Sequence, residues 1–286
     1  MPLVTGKDLL VKARAHQYGI GAFNTDNLET TQAIIEAAEE MKSPVMLAIT
    51  EGAMNHSRKR VVDIALYEAN RASVPVAVHL DHGENYEICL QCIRLGFTSV
   101  MIDKSHLDEA SNIAETKRVV EAAHAVGVSV EAEIGVLSGI EEALNVSADH
   151  AQLTKPDEAE RFMLATEADS LAIAIGTSHG PNKGIGRPFI DHERIKAIAD
   201  RVPQPLVMHG ASGIAQDLVK RLNEAGGALK NAVGIHDEDS AKAVTEGIAK
   251  INVGTDLRLA GMTALREVLK QKPAEIDLRK VLGSGP

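Results

Sequence analysis

The chain has 286 residues, a formal net charge of -10, 44% hydrophobic residues and 24% charged ones. That length can bury the core of one α/β barrel domain over residues 1–286, and no apolar run is long enough to cross a bilayer. The acidic balance excludes a general nucleic-acid or membrane surface, which needs clustered Lys and Arg, so an anionic ligand would require a local site.

Met1-Pro2-Leu3-Val4 opens no signal peptide, and a cytoplasmic protein is expected. Aromatics are 2% with no Trp, so the core must come from Val, Ile, Leu, Ala and Met. Thr5 to Gln17 has helical spacing with Thr5 as N-cap and leads into the strand Ile20-Gly21-Ala22-Phe23-Asn24. Asn27 to Lys42 is an amphipathic helix stopped by Ser43-Pro44. The second strand, Val45-Met46-Leu47-Ala48-Ile49, ends at Thr50-Glu51-Gly52, and a helix over Ser57 to Arg71 follows. A third strand, Val76-Ala77-Val78-His79-Leu80, runs into Asp81-His82-Gly83. Cys89 and Cys92 have CxxC spacing inside the helix Tyr86 to Leu95. Without a second such pair they read as packed thiols, the alternatives being a redox motif or half of a zinc site.

The fourth strand, Thr98-Ser99-Val100-Met101-Ile102, ends at Asp103-Lys104-Ser105-His106, before a helix from Asp108 to Val126. The fifth, Val128 to Glu133, alternates so that Glu131 and Glu133 share a face. A polar, irregular stretch from Ser138 to Leu153 precedes the helix Asp157 to Thr166 and the sixth strand, Ser170 to Ile175, which ends in Gly176-Thr177-Ser178-His179-Gly180. After the helix Asp191 to Arg201, the seventh strand Leu206-Val207-Met208 runs into His209-Gly210-Ala211-Ser212-Gly213. Helical patterns at Ile214 to Glu224 and Asp237 to Glu246 precede the eighth strand, Ala249 to Val253, and the helix Leu257 to Gln271. Eight strands alternating with helices predict an α/β fold of the (β/α)8 TIM-barrel type; a doubly wound open sheet is the alternative. Polar groups recur after every strand, whereas an open sheet concentrates them at its switch point.

In a barrel all the strand ends converge on one mouth, so His82, His179 and His209 could meet there with Glu133. Three imidazoles and an optional carboxylate suit a catalytic zinc; the alternative is three hydrogen-bonded core histidines. His79 shares the parity of Asp81 but lies deeper, as an inner-layer residue, and His106 is placed behind the site. The histidines on helices and loops, His192 among them, are expected to face solvent. Asp81 stands where it could exchange a proton with a hydroxyl near the metal, or else orient a histidine. Glu141 and Glu142 lie on the loop after the fifth strand, as a second base or as solvated surface. Gly180-Pro181-Asn182-Lys183-Gly184 and Gly210-Ala211-Ser212-Gly213 look like amide cradles for phosphate, with Lys183, Ser212 and Thr255 as further donors.

With Gly21-Ala22-Phe23-Asn24, His79-Leu80-Asp81-His82-Gly83, Gly176-Thr177-Ser178-His179-Gly180, His209-Gly210-Ala211-Ser212-Gly213 and Lys250-Ile251-Asn252-Val253, the chain resembles the class II, metal-dependent fructose-1,6-bisphosphate aldolases. The resemblance implies a TIM-barrel aldehyde lyase of glycolysis and gluconeogenesis, a homodimer or homotetramer. Such an enzyme splits the ketose bisphosphate into dihydroxyacetone phosphate and glyceraldehyde 3-phosphate. It implies Zn²⁺ on His82, His179 and His209 with Glu133 as alternate ligand, Asp81 on the C4 hydroxyl, and Glu141 moving the proton of the zinc-stabilised enediolate. Gly180, Lys183, Gly210, Ser212 and Thr255 match phosphate-loop positions, supported by a monovalent cation (Na⁺ or K⁺), while Asn24, Thr50 and Asn252 match sugar-contacting ones. Arg279 matches an arginine that reaches the neighbouring subunit's substrate phosphate. Thr50 and Gly254 lean toward the similar tagatose-1,6-bisphosphate aldolases. A non-catalytic barrel binding a metal or sugar phosphate is the remaining alternative.

Overall fold

The structure, a computed structural model, describes residues 2–141, 144–146, 152–180 and 189–283. The chain runs α1 (Gly6–His16), β1 (Ile20–Asn24), α2 (Leu28–Glu40), β2 (Val45–Thr50), α3 (Glu51–His56), α4 (Arg60–Arg71), β3 (Val76–Gly83) and α5 (Tyr86–Leu95). It continues through β4 (Ser99–Ile102), α6 (Glu109–His124), β5 (Ser129–Ile134), β6 (Ser138–Glu141), β7 (Leu144–Val146), α7 (Pro156–Thr166), β8 (Ser170–Ile173) and β9 (Ser178–His179). Then follow α8 (His192–Ala199), β10 (Leu206–Met208), α9 (Gln216–Glu224), α10 (Asp237–Thr245), β11 (Ile248–Val253), α11 (Thr255–Gln271) and α12 (Leu278–Leu282).

Eight strands close a parallel barrel in the order β1-β11-β10-β8-β5-β4-β3-β2, the (β/α)8 architecture the alternation predicts. Local chemistry starts the helices where the sequence marks them. Thr5 and Asp8 form a capping box on α1, as do Asn27 and Thr30 on α2, while Asn85 and Asp108 cap α5 and α6. The outward faces of the strands join the helices in one large apolar cluster. A second cluster is internal: Leu9, Leu10 and Ala13 of α1 pack with Ile20, Ala22, Met46, Ala77 and Ala249. A Cβ on Gly6 would lie 2.7 Å from Ser99 Oγ and 3.1 Å from Ser129 Oγ, at the first residues of β4 and β5. Helix α1 therefore plugs the N-terminal end of the barrel, and the polar interior lies above it.

Three local expectations are corrected. The helix expected over 57–71 starts only at Arg60, as α4, and a further helix, α3, precedes it, because the Thr50 hydroxyl caps α3 and Arg58 and Lys59 adopt left-handed backbone between the two helices. The irregular stretch after β5 contains β6 and β7, which join β9 in a small separate sheet. Barrel strand β8 ends at Ile173, and after Gly176, with φ of 101°, the chain resumes as β9. The pairing of β6 with β9 is long-range, and strand periodicity carries no signal for it.

Cys89 and Cys92 are fully buried, their sulfurs against the Met101 carbonyl at 3.6 Å and Met54 Sδ at 3.8 Å. Burial pushes the Cys92 thiol up to about 12 and that of Cys89 up as well. Both thiols are thus inert packing groups. A colorimetric disulfide reagent should find no fast-reacting thiol in the native protein and both in denaturant; a native thiol reacting within minutes would place one of them at the surface.

Candidate active site

Side chains two residues apart on a strand share a face, so β3, β5 and β11 each deliver two residues to the interior, one above the other. The lower layer is His79, Glu131 and Lys250; the upper is Asp81, Glu133 and Asn252, and all six are buried. In the lower layer the Lys250 ammonium donates to Glu131 Oε1 at 2.9 Å, Glu131 Oε2 at 2.8 Å and His79 Nε2 at 3.1 Å. An ammonium has only protons to give, so His79 Nε2 accepts, and its Nδ1–H donates to Ser99 Oγ at 2.8 Å. Burial, and then the charge of Lys250, push His79 down to about 3, which keeps the ring neutral. Burial alone would raise Glu131, but Lys250 and a hydrogen bond from His209 hold it well below the usual carboxylate range.

His82, next to last in β3, has φ of 50°, where the β3–β4 register shifts between Leu80 and Gly83. This left-handed residue turns its ring into the mouth, and Gly83 follows because a Cβ there would lie 2.5 Å from the Met101 carbonyl oxygen. His209 follows β10, and Gly210, with φ of 63°, brings the backbone against Ser178. His82 donates from Nδ1 to Asp103 Oδ2 at 2.9 Å, and His209 donates from Nε2 to Glu131 Oε1 at 3.0 Å. Burial would raise Asp103, but the His82 hydrogen bond dominates and keeps it ionised. Each ring has committed its proton to a carboxylate, so the two remaining nitrogens, His82 Nε2 and His209 Nδ1, meet 2.8 Å apart as acceptors. Two lone pairs at that distance call for a cation between them. Burial and the neighbouring His82 lower His209, which disfavours a proton in that role.

Asp81 completes the cluster, one of its carboxylate oxygens and one nitrogen of each of the two rings all lying within 4.8 Å of one another. Asn24 Nδ2 donates to Asp81 Oδ2 at 2.7 Å and Asn252 Nδ2 to Oδ1 at 3.0 Å, which fixes the carboxylate plane. A second group, His82, Asp103 and Glu133, is equally compact. Asn252 Oδ1 and Thr177 Oγ1 are buried without partners among the described residues, as acceptors and donors facing a ligand would be.

Of the other expected site residues, Thr50 lies beside Asp81 in register, its hydroxyl capping α3. A Cβ on Gly254 would lie 2.4 Å from Asn24 Oδ1, so the absence of a side chain there leaves Asn24 room to reach Asp81. Ser212 and Thr255 meet, the Thr255 amide donating to Ser212 Oγ at 3.2 Å. The amide cradle is only partly open: Gly213 and Ile214 N–H groups donate to the Asp256 carboxylate at 2.7 and 2.6 Å, and α9 begins at Gln216 rather than Ile214. Gly180 has φ of 82°. Arg279 is exposed on α12 and bonds Asp277. The backbones of Glu141 and His179 belong to β6 and β9, His179 pairing with Gly139, two residues before Glu141, but their side chains lie outside the described residues, as does Lys183. His106 is exposed on a turn, and Asp103 takes the supporting role expected of it. His192, expected to face solvent, is instead held by Glu246 at 2.5 Å. Lys250, Glu131 and Asp103 are not among the residues expected at the site; their signals are the parity of Lys250 with Asn252, that of Glu131 with Glu133, and the place of Asp103 at a strand end.

Three comparisons with known proteins agree. A family model described as "Fructose-bisphosphate aldolase class-II" matches residues 4–285. The chain is similar to a fructose-bisphosphate aldolase of Thermus caldophilus, 60% identical over 98% of this chain and 92% of that protein. One of Giardia intestinalis is 43% identical over 100% of this chain and 88% of its own length. Among solved structures, the YdjI aldolase of Escherichia coli K12 superposes with a TM-score of 0.78 at 32% identity, covering 99% of this chain and 98% of its own.

Neutral His79 sets a pH response. Its pKa falls from 6.5 to about 3 on folding, so below the higher value the unfolded chain binds a proton that the folded one refuses. Stability present above that pH is lost as pH falls toward the lower value, by about 1.4 kcal/mol per pH unit. Glu131 and Asp103, also lowered, act with the same sign in a more acidic range. In denaturant titrations with chelator present, His79→Gln should remove about one proton's worth of slope between about pH 6 and 5. An unchanged slope would mean that another group is responsible.

Proposed function

Since the chain belongs to the class-II fructose-bisphosphate aldolase family, a family of metal-dependent lyases, we propose that Asp81, His82 and His209 form the centre at which it cleaves fructose 1,6-bisphosphate. The products are dihydroxyacetone phosphate and glyceraldehyde 3-phosphate, in a reversible step of glycolysis and gluconeogenesis. The observation that carries this siting is the pair of imidazole acceptors 2.8 Å apart beside a carboxylate clamped by two amides.

His82 and His209 would hold Zn²⁺ with His179 as third ligand and Glu133 as alternate, the donor set fitting a borderline-soft cation. When bound, the zinc supplies Lewis-acid polarisation of the ketose carbonyl. Asp81 takes the proton of the C4 hydroxyl; the C4–O bond becomes the aldehyde carbonyl as the C3–C4 bond breaks, its electron pair passing to the dihydroxyacetone half. In condensation Asp81 returns the proton to the aldehyde oxygen. Asn24 and Asn252 hold Asp81 in one orientation, and Asn252 also contacts the dihydroxyacetone portion, with its buried Oδ1 in reserve for a hydroxyl. Glu141 supplies and removes the proton on C3.

Gly180, Lys183, Gly210, Ser212 and Thr255 bind the phosphates, and Thr50 contacts the sugar. A monovalent cation, Na⁺ or K⁺, steadies these loops near Thr177, whose hydroxyl is buried without a partner among the described residues. Arg279 serves the neighbouring subunit of a homodimer or homotetramer. The protein acts in the cytoplasm as a single barrel domain; no described helix is long and apolar enough to span a membrane. A Schiff-base mechanism finds no support on the inner wall, where Lys250 is buried and ion-paired with Glu131.

Asp81→Ala should lower turnover by about 10²- to 10⁴-fold, the range of acid–base catalysis, and leave zinc content unchanged. Loss of zinc in that variant would make Asp81 structural instead, and unchanged turnover would place proton transfer elsewhere. Gly254 and Thr50 motivate the second reading, tagatose 1,6-bisphosphate, a C4 epimer. Cleavage of both sugars by the zinc enzyme at matched concentrations distinguishes them, with fructose 1,6-bisphosphate expected to be faster.

A further inference from the structure

Lys250 is among the largest side chains buried without any solvent access, and it lies one layer below the reacting groups. A charge is costly in such a place unless every proton is matched. Here it is. The three ammonium protons meet three acceptors, Glu131 Oε1 at 2.9 Å, Glu131 Oε2 at 2.8 Å and His79 Nε2 at 3.1 Å. His79 is itself fixed from behind, with Nδ1 2.8 Å from Ser99 Oγ. The lysine can neither rotate nor slide, and it pins both oxygens of Glu131.

Glu131 passes that constraint upward. Its Oε1 lies 3.0 Å from His209 Nε2, and a carboxylate offers only acceptors, so the His209 proton must reside on Nε2. The opposite nitrogen, Nδ1, then carries the lone pair that faces His82 Nε2 at 2.8 Å. Asn252 Nδ2, also near this ring, is about equally close to both nitrogens, 3.3 Å from Nδ1 and 3.4 Å from Nε2, so it does not choose between the tautomers. The choice falls to Glu131, and its orientation falls to Lys250.

We propose that Lys250 is a positioning residue for the aldol reaction: by pinning Glu131 as the acceptor of His209 Nε2–H, it selects the His209 tautomer that turns Nδ1 toward the metal position. A metal-ligating histidine gains both orientation and basicity from a carboxylate on its far nitrogen. Here the carboxylate is in turn oriented by a buried cation, three groups from the metal. The role rests on the reading of His209 as a zinc ligand, and the test separates the two ideas.

The tautomer of His209 is read first, by ¹⁵N NMR of histidine-labelled, metal-free parent protein. A single Nε2–H form is expected, and an Nδ1–H form overturns the proposal. Zinc affinity by chelator competition is then compared for the parent, His209→Ala, Lys250→Met, and Lys250→Met combined with Glu131→Gln. The double variant leaves no unpaired buried charge, so it reports on the device even if the single variant fails to fold. A folded lysine variant should lose about 10- to 100-fold in zinc affinity, the range for groups supporting a metal ligand, and should show a mixture of His209 tautomers. Parental affinity and a pure Nε2–H spectrum in the folded double variant would make Lys250 merely structural. Parental affinity in His209→Ala would instead sink the ligand reading and leave the tautomer spectra to judge Lys250 by themselves.

Discussion

The ion pair of Lys250 with Glu131 is the constraint around which the inside of this barrel is arranged. A buried pair of this kind gains little net stability over an apolar pair of the same shape, yet removing one partner costs about 3–5 kcal/mol. The pair must therefore be surrounded correctly or not formed at all. Below it, α1 and the small residues Ala22, Ala77 and Ala249 make a dry plug that keeps water from the charges. Beside it, neutral His79 satisfies the remaining ammonium proton without adding a second positive charge.

Above the pair, one arrangement recurs: each polar side chain at the mouth is aimed by a hydrogen-bonding group on its far side. Asp103 and Glu131 hold the far nitrogens of His82 and His209. Asn24 and Asn252 hold the two oxygens of Asp81. The glycines supply the closeness this needs, Gly83 against β4, Gly210 against Ser178, and Gly254 against Asn24. Preorganisation of this sort leaves little reorganisation for the reaction step itself.

Much of the fold was legible because each barrel strand is a short apolar run bounded by turn or capping residues, and those signals are local. The strand leading to Asp81 and His82 begins at Val76 as expected and runs three residues past the expected Leu80, to Gly83. Elements whose partners are distant in sequence were not legible. Strand β6 is held by β9 and carries β7 on its other edge, and the break between α3 and α4 depends on left-handed backbone at Arg58 and Lys59, residues that carry no turn signature. At the site, the proposed ligands stood out by type and position, whereas the groups hydrogen-bonded behind them did not. Asp103 and His106 follow the same strand, and residue type alone pointed to the histidine; in space it is the aspartate that reaches His82.

The sequence by itself determined the barrel, the residues delivered to its mouth, and the kind of chemistry they could perform, because strand parity and residue type are local properties. Only the tertiary structure decided which atom of each residue does the work. Whether His209 offers Nδ1 or Nε2, and whether Glu131 or Glu133 stands behind it, depends on β3, β5, β10 and β11 meeting across the barrel. Contacts between residues as far apart as His79 and Lys250 are settled by closure of the sheet, and no stretch of chain carries that information alone.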